Sequence, residues 1–472
     1  MDNLPFLPVE QLAKLLASGE ITSHALTRVY LDRIARLNTQ LNAYVEVFED
    51  SSLAQARCSD LRREAGCALG PLDGIPIAVK DLCHIAGYRN TVGSRLFSES
   101  HSTMTATAIQ RLVAAGAVLL GKTQMVEFAF GGWGTNPYLG TPRNPWDMKA
   151  HRIPGGSSSG SGVALAAGLC AAAIGSDTGG SVRIPASLNG ITGLKTTAGL
   201  ISLHGCAELS PTLDSLGPLT RSAADAALLT EIMAGYDAAD PRTHHAPRLP
   251  ADFSRMDDGE AKASAPLQGK VIALIPPENY PMPVVPAVSH ALEAAAKVFA
   301  NLGADVREVE FPFDFGELMR VNGAIIAAEA YVIHQAYIED TSREIGQWVR
   351  QRVLHGRDIS AVQYIDALKE HSRVKRAWVD WMSGLDALLV PTLPIAACKV
   401  EDVDEMQTPL AAFTRAGNLL GASVLSLPAG FDEQRLPVGV QLYGKPFDEA
   451  GLISLGRRFQ SQTDWHLQFP EL

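Results

Sequence analysis

Two clusters of glycine and serine residues lie between Pro154 and Pro185. They read Gly155-Gly-Ser-Ser-Ser-Gly-Ser-Gly162 and Gly175-Ser-Asp-Thr-Gly-Gly-Ser181. Glycine lets a backbone come close to a substrate, and a serine hydroxyl can attack a carbonyl or relay a proton. The pattern predicts a nucleophile at Ser181 beside an oxyanion hole, because successive N–H groups can converge on one point. Those groups belong to Thr178, Gly179, Gly180 and Ser181.

A serine nucleophile needs a base, and the sequence offers two candidates. His151 precedes the first cluster, and Lys80 ends the run Ile75-Pro-Ile-Ala-Val79, which predicts a strand entering a core. A buried lysine loses its charge because desolvation penalises the ammonium group. Its neutral amine can then act as a general base. The alternative is that Lys80 pairs with Asp81 in solvent at the end of the strand.

Three motifs of the chain resemble those of the amidase signature family. They are Gly74-Ile-Pro-Ile-Ala-Val-Lys-Asp81, Gly155-Gly-Ser-Ser-Ser-Gly-Ser161 and Gly175-Ser-Asp-Thr-Gly-Gly-Ser-Val-Arg-Ile-Pro185. The likeness is densest from roughly Asp73 to Gly235 and returns near the C-terminus. It implies an α/β fold in which helices cover both faces of a large central mixed β-sheet.

The resemblance also implies roles for individual residues of this chain. In the implied Ser–Ser–Lys triad, Ser181 is the nucleophile, Ser157 is the bridging serine after a cis peptide bond, and Lys80 is the base. Asp177 and Arg183 are expected to brace the loop. Neither a metal ion nor an organic cofactor is implied. The implied oxyanion-hole amides are those of Thr178, Gly179, Gly180 and Ser181.

The expected organisation of the 472 residues is an N-terminal helical segment packed on one large domain. The segment covers residues 1–65, and the signature domain covers residues 66–472 with its core at about 73–235. Within the core, the alanine-rich run Val163–Ala173 predicts a helix. Further on, a strand–helix–strand pattern over residues 270–311 predicts that the same sheet continues.

A pocket wall is expected between Met125 and Gly140, where aromatic residues and glycines are frequent. Aromatic side chains supply the apolar surface that lines most small-molecule sites, although plain core packing is an equally good interpretation. A second candidate for the wall is the predicted helix Val321–Tyr337. The candidate substrate-binding residues are Met125, Phe130, Gly131 and Trp133.

Composition excludes several classes of protein. The net charge of −11 argues against a nucleic-acid surface, and the longest apolar run is too short for a membrane span. The six cysteines form no Cys-x-x-Cys pair, so neither a zinc cluster nor a disulfide framework is indicated. A reduced, cytoplasmic location is expected. The expected partner is a small-molecule amide, with no nucleic acid and no membrane, and a homodimer is compatible with the sequence.

Two other motifs match well-known patterns without their structural context. The sequence of residues Gly116–Thr123 matches the pattern of the phosphate-binding P-loop. A P-loop follows a strand and precedes a helix, whereas a helix is predicted before this segment. Residues Gly156–Gly160 fit the Gly-x-Ser-x-Gly elbow, but His151–Pro154 before them is a poor strand. A flexible linker or a turn without chemistry would also explain the glycines and serines.

The function predicted from the sequence is hydrolysis of a small carboxamide, or of a related ureido or carbamate C–N bond, through a seryl acyl-enzyme. The first alternative is the glutamine-hydrolysing subunit of a tRNA-dependent amidotransferase. Ile184 counts against it, because members of that kind commonly have Gln at this position. The others are an NTP-binding protein that uses Gly116–Thr123 and a catalytically silent protein on the same scaffold.

Overall fold

The computed structural model describes residues 3–250, 253–255 and 267–472. The polar sequence of residues 236–268, rich in Pro, Asp and His, predicts an exposed connection. Its residues 251–252 and 256–266 lie outside the described part. Over the described part, the chain forms eleven strands that hydrogen-bond into a single sheet. The strands are β1 (Tyr44–Val47), β2 (Pro76–Lys80), β3 (Val118–Thr123), β4 (Ala172–Asp177), β5 (Thr192–Lys195), β6 (Ser215–Thr220), β7 (Val271–Leu274), β8 (Asp305–Glu308), β9 (Ala387–Pro391), β10 (Val424–Phe431) and β11 (Pro437–Tyr443).

The sheet is mixed, with the order β1-β3-β2-β4-β6-β5-β10-β11-β9-β7-β8. Strand β2 runs parallel to both β3 and β4, and β7 runs parallel to both β8 and β9. The remaining pairs are antiparallel. Every residue of β2, β3 and β4 is buried, as expected for strands covered on both faces. The predicted α/β fold with a central mixed sheet is therefore confirmed.

Helices pack on this sheet and supply much of its cover. Two hydrophobic clusters account for most of the core and lie between the sheet and the helices. The α-helices of the described residues are α1 (Val9–Ser18), α2 (Ser23–Leu41), α3 (Glu49–Glu64), α4 (Thr107–Ala114), α5 (Ser159–Ala166), α6 (Arg183–Asn189), α7 (Ala223–Met233), α8 (Pro286–Asn301), α9 (Phe315–Ile338), α10 (Gln347–His355), α11 (Ala361–Trp381), α12 (Arg415–Leu419) and α13 (Glu449–Ser461). None of them is long and apolar enough to cross a lipid bilayer.

The alanine-rich run between the two serine clusters differs from its prediction as one helix, Val163–Ala173. Helix α5 begins earlier and ends at Ala166, and the chain turns at Gly168 with φ +66° before entering β4. A buried strand reads as a continuous apolar run, so periodicity alone does not separate it from a buried helix. The consequence is a tight helix–turn–strand unit that brings the two clusters side by side.

The P-loop interpretation of Gly116–Thr123 is contradicted by the structure. The segment is strand β3, and the Lys122 side chain is fully buried. Lys122 Nζ lies 3.0 Å from a carboxylate oxygen of Asp81 and donates to the Cys83 carbonyl at 2.7 Å. A lysine with these partners is not available to a phosphate. The same ion pair shows that Asp81 pairs with Lys122 and not with Lys80.

The N-terminal residues are tied to the rest of the molecule at two places. Strand β1 pairs with β3 at one edge of the sheet. The first N–H groups of α1, those of Val9 and Glu10, donate to the Asp225 carboxylate of α7 at 3.0 and 3.1 Å. These amides have no acceptor within their own helix, so Asp225 caps α1 from another element.

All six cysteines are free thiols. Two of them face each other: the Sγ atoms of Cys83 and Cys206 lie 3.7 Å apart across a short antiparallel bridge.

Candidate active site

Lys80 is the last residue of β2, and its side chain is fully buried. Its Nζ lies 2.7 Å from Ser157 Oγ and 2.9 Å from Ser176 Oγ. Burial lowers the pKa of Lys80 to about 7, although the nearby Cys83, Asp177 and Asp214 partly oppose this shift. A large fraction of the side chain is therefore the neutral amine near neutral pH, as a general base requires.

Ser157 is held in the turn that precedes α5. The peptide bond between Gly156 and Ser157 is cis, as the resemblance to the amidase signature family implies. The segment before the turn, residues 126–132, fixes its backbone: Val126 N–H donates to the Ser157 carbonyl at 3.1 Å, and Gly156 N–H donates to the Gly132 carbonyl at 2.7 Å. A Cβ atom on Gly156 would lie 2.8 Å from the Gly131 oxygen, so the close approach requires glycine.

Ser181 lies beside Ser157 in space. The N–H of Ser158 donates to the Ser181 carbonyl at 3.2 Å, which joins the two clusters through their backbones. Within the part of the chain that the structure describes, no hydrogen bond joins the side chains of Ser157 and Ser181. Catalytic hydrogen bonds are often long in ligand-free enzymes and shorten when substrate binds. The Ser181 side chain is 8% exposed and lines a cavity.

Asp177 and Arg183 form a buried pair beneath the second cluster. Arg183 Nε and Nη2 each donate to one carboxylate oxygen at 3.0 Å, and neither side chain is exposed. Burial alone would raise the pKa of Asp177, but the Arg183 guanidinium holds it well below its usual range. Asp177 also accepts the N–H of Gly180 at 2.8 Å. The pair therefore braces the turn that carries Ser181.

The amide of Gly180 has an acceptor, which changes the expected set of oxyanion donors. Its N–H points to Asp177, whereas the amides of Thr178, Gly179 and Ser181 have no acceptor among the described residues. Side chains on either side hold this turn. Thr178 Oγ1 donates to Asp214 Oδ1 at 2.5 Å, and Thr414 Oγ1 donates to the Gly179 carbonyl at 2.7 Å.

The cavity at Ser181 has a volume of about 50 Å³. It opens toward a larger vestibule of about 1030 Å³, and Phe130, Arg352, Thr408 and Arg415 line both spaces. Three of the candidate pocket residues line the inner cavity: Phe130, Gly131 and Trp133. Met125 does not; it is fully buried behind the wall, where its carbonyl accepts from Asn136.

Sequence reasoning missed several residues of the site. Ser176 precedes Asp177 in the motif, so the alternation of β4 could have pointed to it. Arg352 and Arg415 come from distant helices, and the helix Val321–Tyr337 contributes only Ile326 to the inner cavity. His151, the other candidate base, is exposed and does not line the cavity. Ser158, the serine of the elbow motif, is buried and donates to the Ser176 carbonyl.

Comparison with known proteins places the whole chain in one group. The family model described as "Amidase" matches residues 25–453. The chain is 39% identical over 495 aligned positions to a glutamyl-tRNA(Gln) amidotransferase subunit of Methylobacillus flagellatus, and the alignment covers 98% of each chain. A crystal structure of an amidase superposes with a TM-score of 0.84 at 31% identity, covering 97% of this chain and 100% of the other.

A further solved structure comes from a vestigial protein complex that reveals the evolutionary origins of an s-triazine catabolic enzyme. It superposes with a TM-score of 0.88 at 28% identity and covers 99% of this chain and 100% of the other.

Proposed function

The chain belongs to the amidase family and is an amidohydrolase that acts on C–N bonds, and from this premise we propose that it cleaves a small carboxamide through an acyl-enzyme on Ser181. A related ureido or carbamate group is the same kind of substrate for this chemistry. The observation that supports the proposal best is the 2.7 Å contact between Ser157 Oγ and the buried amine of Lys80. It puts a base with a pKa of about 7 against a serine of the motif.

The reaction begins with a proton relay. Neutral Lys80 takes the proton of Ser157 while Ser157 takes the proton of Ser181, and Ser181 Oγ forms a bond to the amide carbon. The negative charge that develops on the carbonyl oxygen is held by the amides of Thr178, Gly179 and Ser181. Loss of one such donor typically costs about 3–4 kcal/mol of transition-state stabilisation.

The second half of the reaction reverses the relay. The C–N bond breaks as the proton passes back through Ser157 to the nitrogen, which leaves as ammonia or an amine. A water molecule then attacks the seryl ester, gives its proton to the same relay, and releases the carboxylic acid. Ser176, whose Oγ lies 2.9 Å from Lys80 Nζ, keeps the amine oriented through both halves.

A second candidate function is hydrolysis of glutamine within a tRNA-dependent amidotransferase. It is favoured by the relative from Methylobacillus flagellatus, which is named as part of such an enzyme and aligns with this chain from end to end. The named relatives support this candidate better than a free-standing amidase. In this setting the ammonia released by Ser181 is passed on to a partner protein. Purification of the untagged protein from its own host, followed by identification of associated chains, distinguishes the two settings.

Substitution of the nucleophile tests the proposal. Ser181→Ala is expected to lower kcat for ammonia release from small amides by on the order of 10⁴-fold or more. Ser159→Ala is the matched control, since Ser159 is a buried serine of the first cluster that makes only a 3.5 Å contact to the Gln124 carbonyl. A fluorophosphonate should label Ser181 in the native protein. Undiminished turnover by Ser181→Ala would overturn the proposal.

A further inference from the structure

Arg415 lies at the junction of the inner cavity and the vestibule. It is the first residue of α12 and lines both spaces. Two glycines make room for its side chain: a Cβ atom on Gly179 would lie 3.2 Å from Arg415 Cγ, and one on Gly323 would lie 3.1 Å from Nη1. The stem of Arg415 therefore packs directly on the turn that carries Ser181.

The guanidinium of Arg415 is not paired with a carboxylate of the described residues. Across residues 3–250, 253–255 and 267–472, no hydrogen bond or ion pair satisfies it. Burial lowers the pKa of Arg415 to about 10, and the charge of Arg352 contributes to this. The side chain is still charged at neutral pH. Arg415 is only partly exposed, and removing an unpaired charge from water is costly. A guanidinium in this position indicates a ligand that compensates its charge.

The neighbouring Arg352 differs from Arg415 in this respect. Its guanidinium forms an ion pair with Glu405 and also donates to the Phe130 carbonyl at 2.8 Å. The second oxygen of Glu405 accepts the hydroxyl of Thr135. The protein itself therefore satisfies Arg352, and the positive charge left for a ligand is that of Arg415.

The described lining of the inner cavity contains these two arginines and no aspartate or glutamate. An ammonium group beside Ser181 would face positive charge with no carboxylate to pair with. The cavity is also short: about 50 Å³ compares with the roughly 10–15 Å³ that suffices for one water molecule. The inner cavity therefore suits an acyl part of a few non-hydrogen atoms without a cation, and a longer one would extend past Arg415 into the vestibule.

We propose that the substrate is a short amide whose acyl part ends in a carboxylate, that Arg415 binds this carboxylate, and that no ammonium group accompanies it. The mono-amides of three- and four-carbon dicarboxylic acids have this chemistry, as do their ureido analogues. The inference rests on the proposed function of Ser181. It favours the free-standing hydrolase over the glutaminase, because glutamine carries an ammonium group next to its carboxylate.

The test compares pairs of amides that differ only in charge. For the native enzyme, kcat/KM for succinamate is expected to exceed that for butyramide by about 10- to 100-fold, the usual range for a charge-assisted hydrogen bond. Glutaramate should be cleaved faster than glutamine. The dianions malonate and succinate should inhibit the native enzyme competitively. This test requires no substituted protein. Equal kcat/KM values for succinamate and butyramide, or faster cleavage of glutamine than of glutaramate, would overturn the inference.

The variant Arg415→Met keeps the length of the stem and removes the charge. It should lower kcat/KM for succinamate by about 10- to 100-fold and leave butyramide within about threefold. Arg376→Met, at an exposed arginine of α11, is the matched control and should change neither rate. Equal losses for both amides in Arg415→Met would also contradict the inference. Failure of the Ser181→Ala test would instead remove the proposed function itself, so the two are distinguishable.

Discussion

At the scale of single residues, Lys80 differs from its charged neighbours in lacking an acidic partner. Three carboxylates lie close by, but Asp81 pairs with Lys122, Asp177 pairs with Arg183, and Asp214 accepts the hydroxyl of Thr178. The contacts left to the Lys80 amine are two serine hydroxyls. A direct carboxylate partner would hold the lysine in its charged form. The placement of these two ion pairs therefore leaves Lys80 free to lose its proton.

The pH dependence of the reaction follows from this arrangement. Lys80 must be neutral to accept a proton, so kcat/KM should fall as the pH drops through the pKa of about 7 and level off above it. A pH–rate profile of the free enzyme measures this limb. The residual activity of Lys80→Met should not fall with pH in this range. A flat profile between pH 6 and 9, or a limb that survives in Lys80→Met, would contradict the assignment of the base.

Local sequence was enough to select Lys80 and Ser181 as candidates, and the resemblance to the amidase signature family added Ser157. Each of the three lies in a short motif with its own backbone requirements. The same reasoning could not find Arg352 or Arg415. Each comes from a helix far along the chain, and its position depends on how distant elements pack. Nor could spacing reveal that the amide of Gly180 is directed at Asp177, since that depends on the angle of a single turn.

At the scale of elements, two adjacent parallel strands position the chemistry. Strand β2 ends at Lys80 and β4 ends at Asp177, with Val79 paired to Ile174. Parallel strands place their carboxyl ends at the same edge of the sheet, which is where ligands bind in open α/β folds. Periodicity predicted β2, but it merged part of β4 with α5, because alanine-rich buried sequence suits a strand and a helix equally well. The pairing of β2 with β4 was therefore not predictable.

The turn after β4 gives a prediction at this scale. Gly180 has φ +128°, and a Cβ atom there would lie 2.3 Å from Thr414 Oγ1. Gly180→Ala should displace the oxyanion amides and lower kcat by about 100- to 1000-fold, the usual effect of losing one donor. Steady-state kinetics with a small amide measures this.

The matched control for that variant is Gly70→Ala. Gly70 has a similar φ of +134° but no atom within 4 Å of the added Cβ. It carries the same backbone strain without the clash, so its kcat should be unchanged. Equal kcat values for the two variants would show that the contact with Thr414 does not position the turn.

At the scale of the whole molecule, one sheet joins the N-terminal region to the signature core. The edge strand β1 belongs to the first 65 residues, and Asp225 caps α1 from α7. The residues that make these contacts do not line the cavity at Ser181. The sequence predicted that this region packs on the main body, but a cap supplied by a residue more than two hundred positions away leaves no local signature.

Removal of the Asp225 cap is expected to lower the stability of the fold without lowering the rate of amide hydrolysis. Asp225→Ala leaves the N–H groups of Val9 and Glu10 without their acceptor, so the free energy of unfolding should fall by about 1–2 kcal/mol. Urea unfolding measures the change, and kcat should stay near that of the native enzyme. Asp32→Ala, at an exposed position of α2, is the control. An unchanged unfolding midpoint for Asp225→Ala would show that α1 is held by its apolar contacts alone.

A hydroxyl able to cleave amides endangers the proteins around it, since their own backbones are chains of amides. The position of Ser181 limits this hazard. Its side chain is 8% exposed and lies in a cavity of about 50 Å³ behind the vestibule. The surface of another folded protein is too broad to enter this recess, so its backbone amides stay out of reach of the nucleophile.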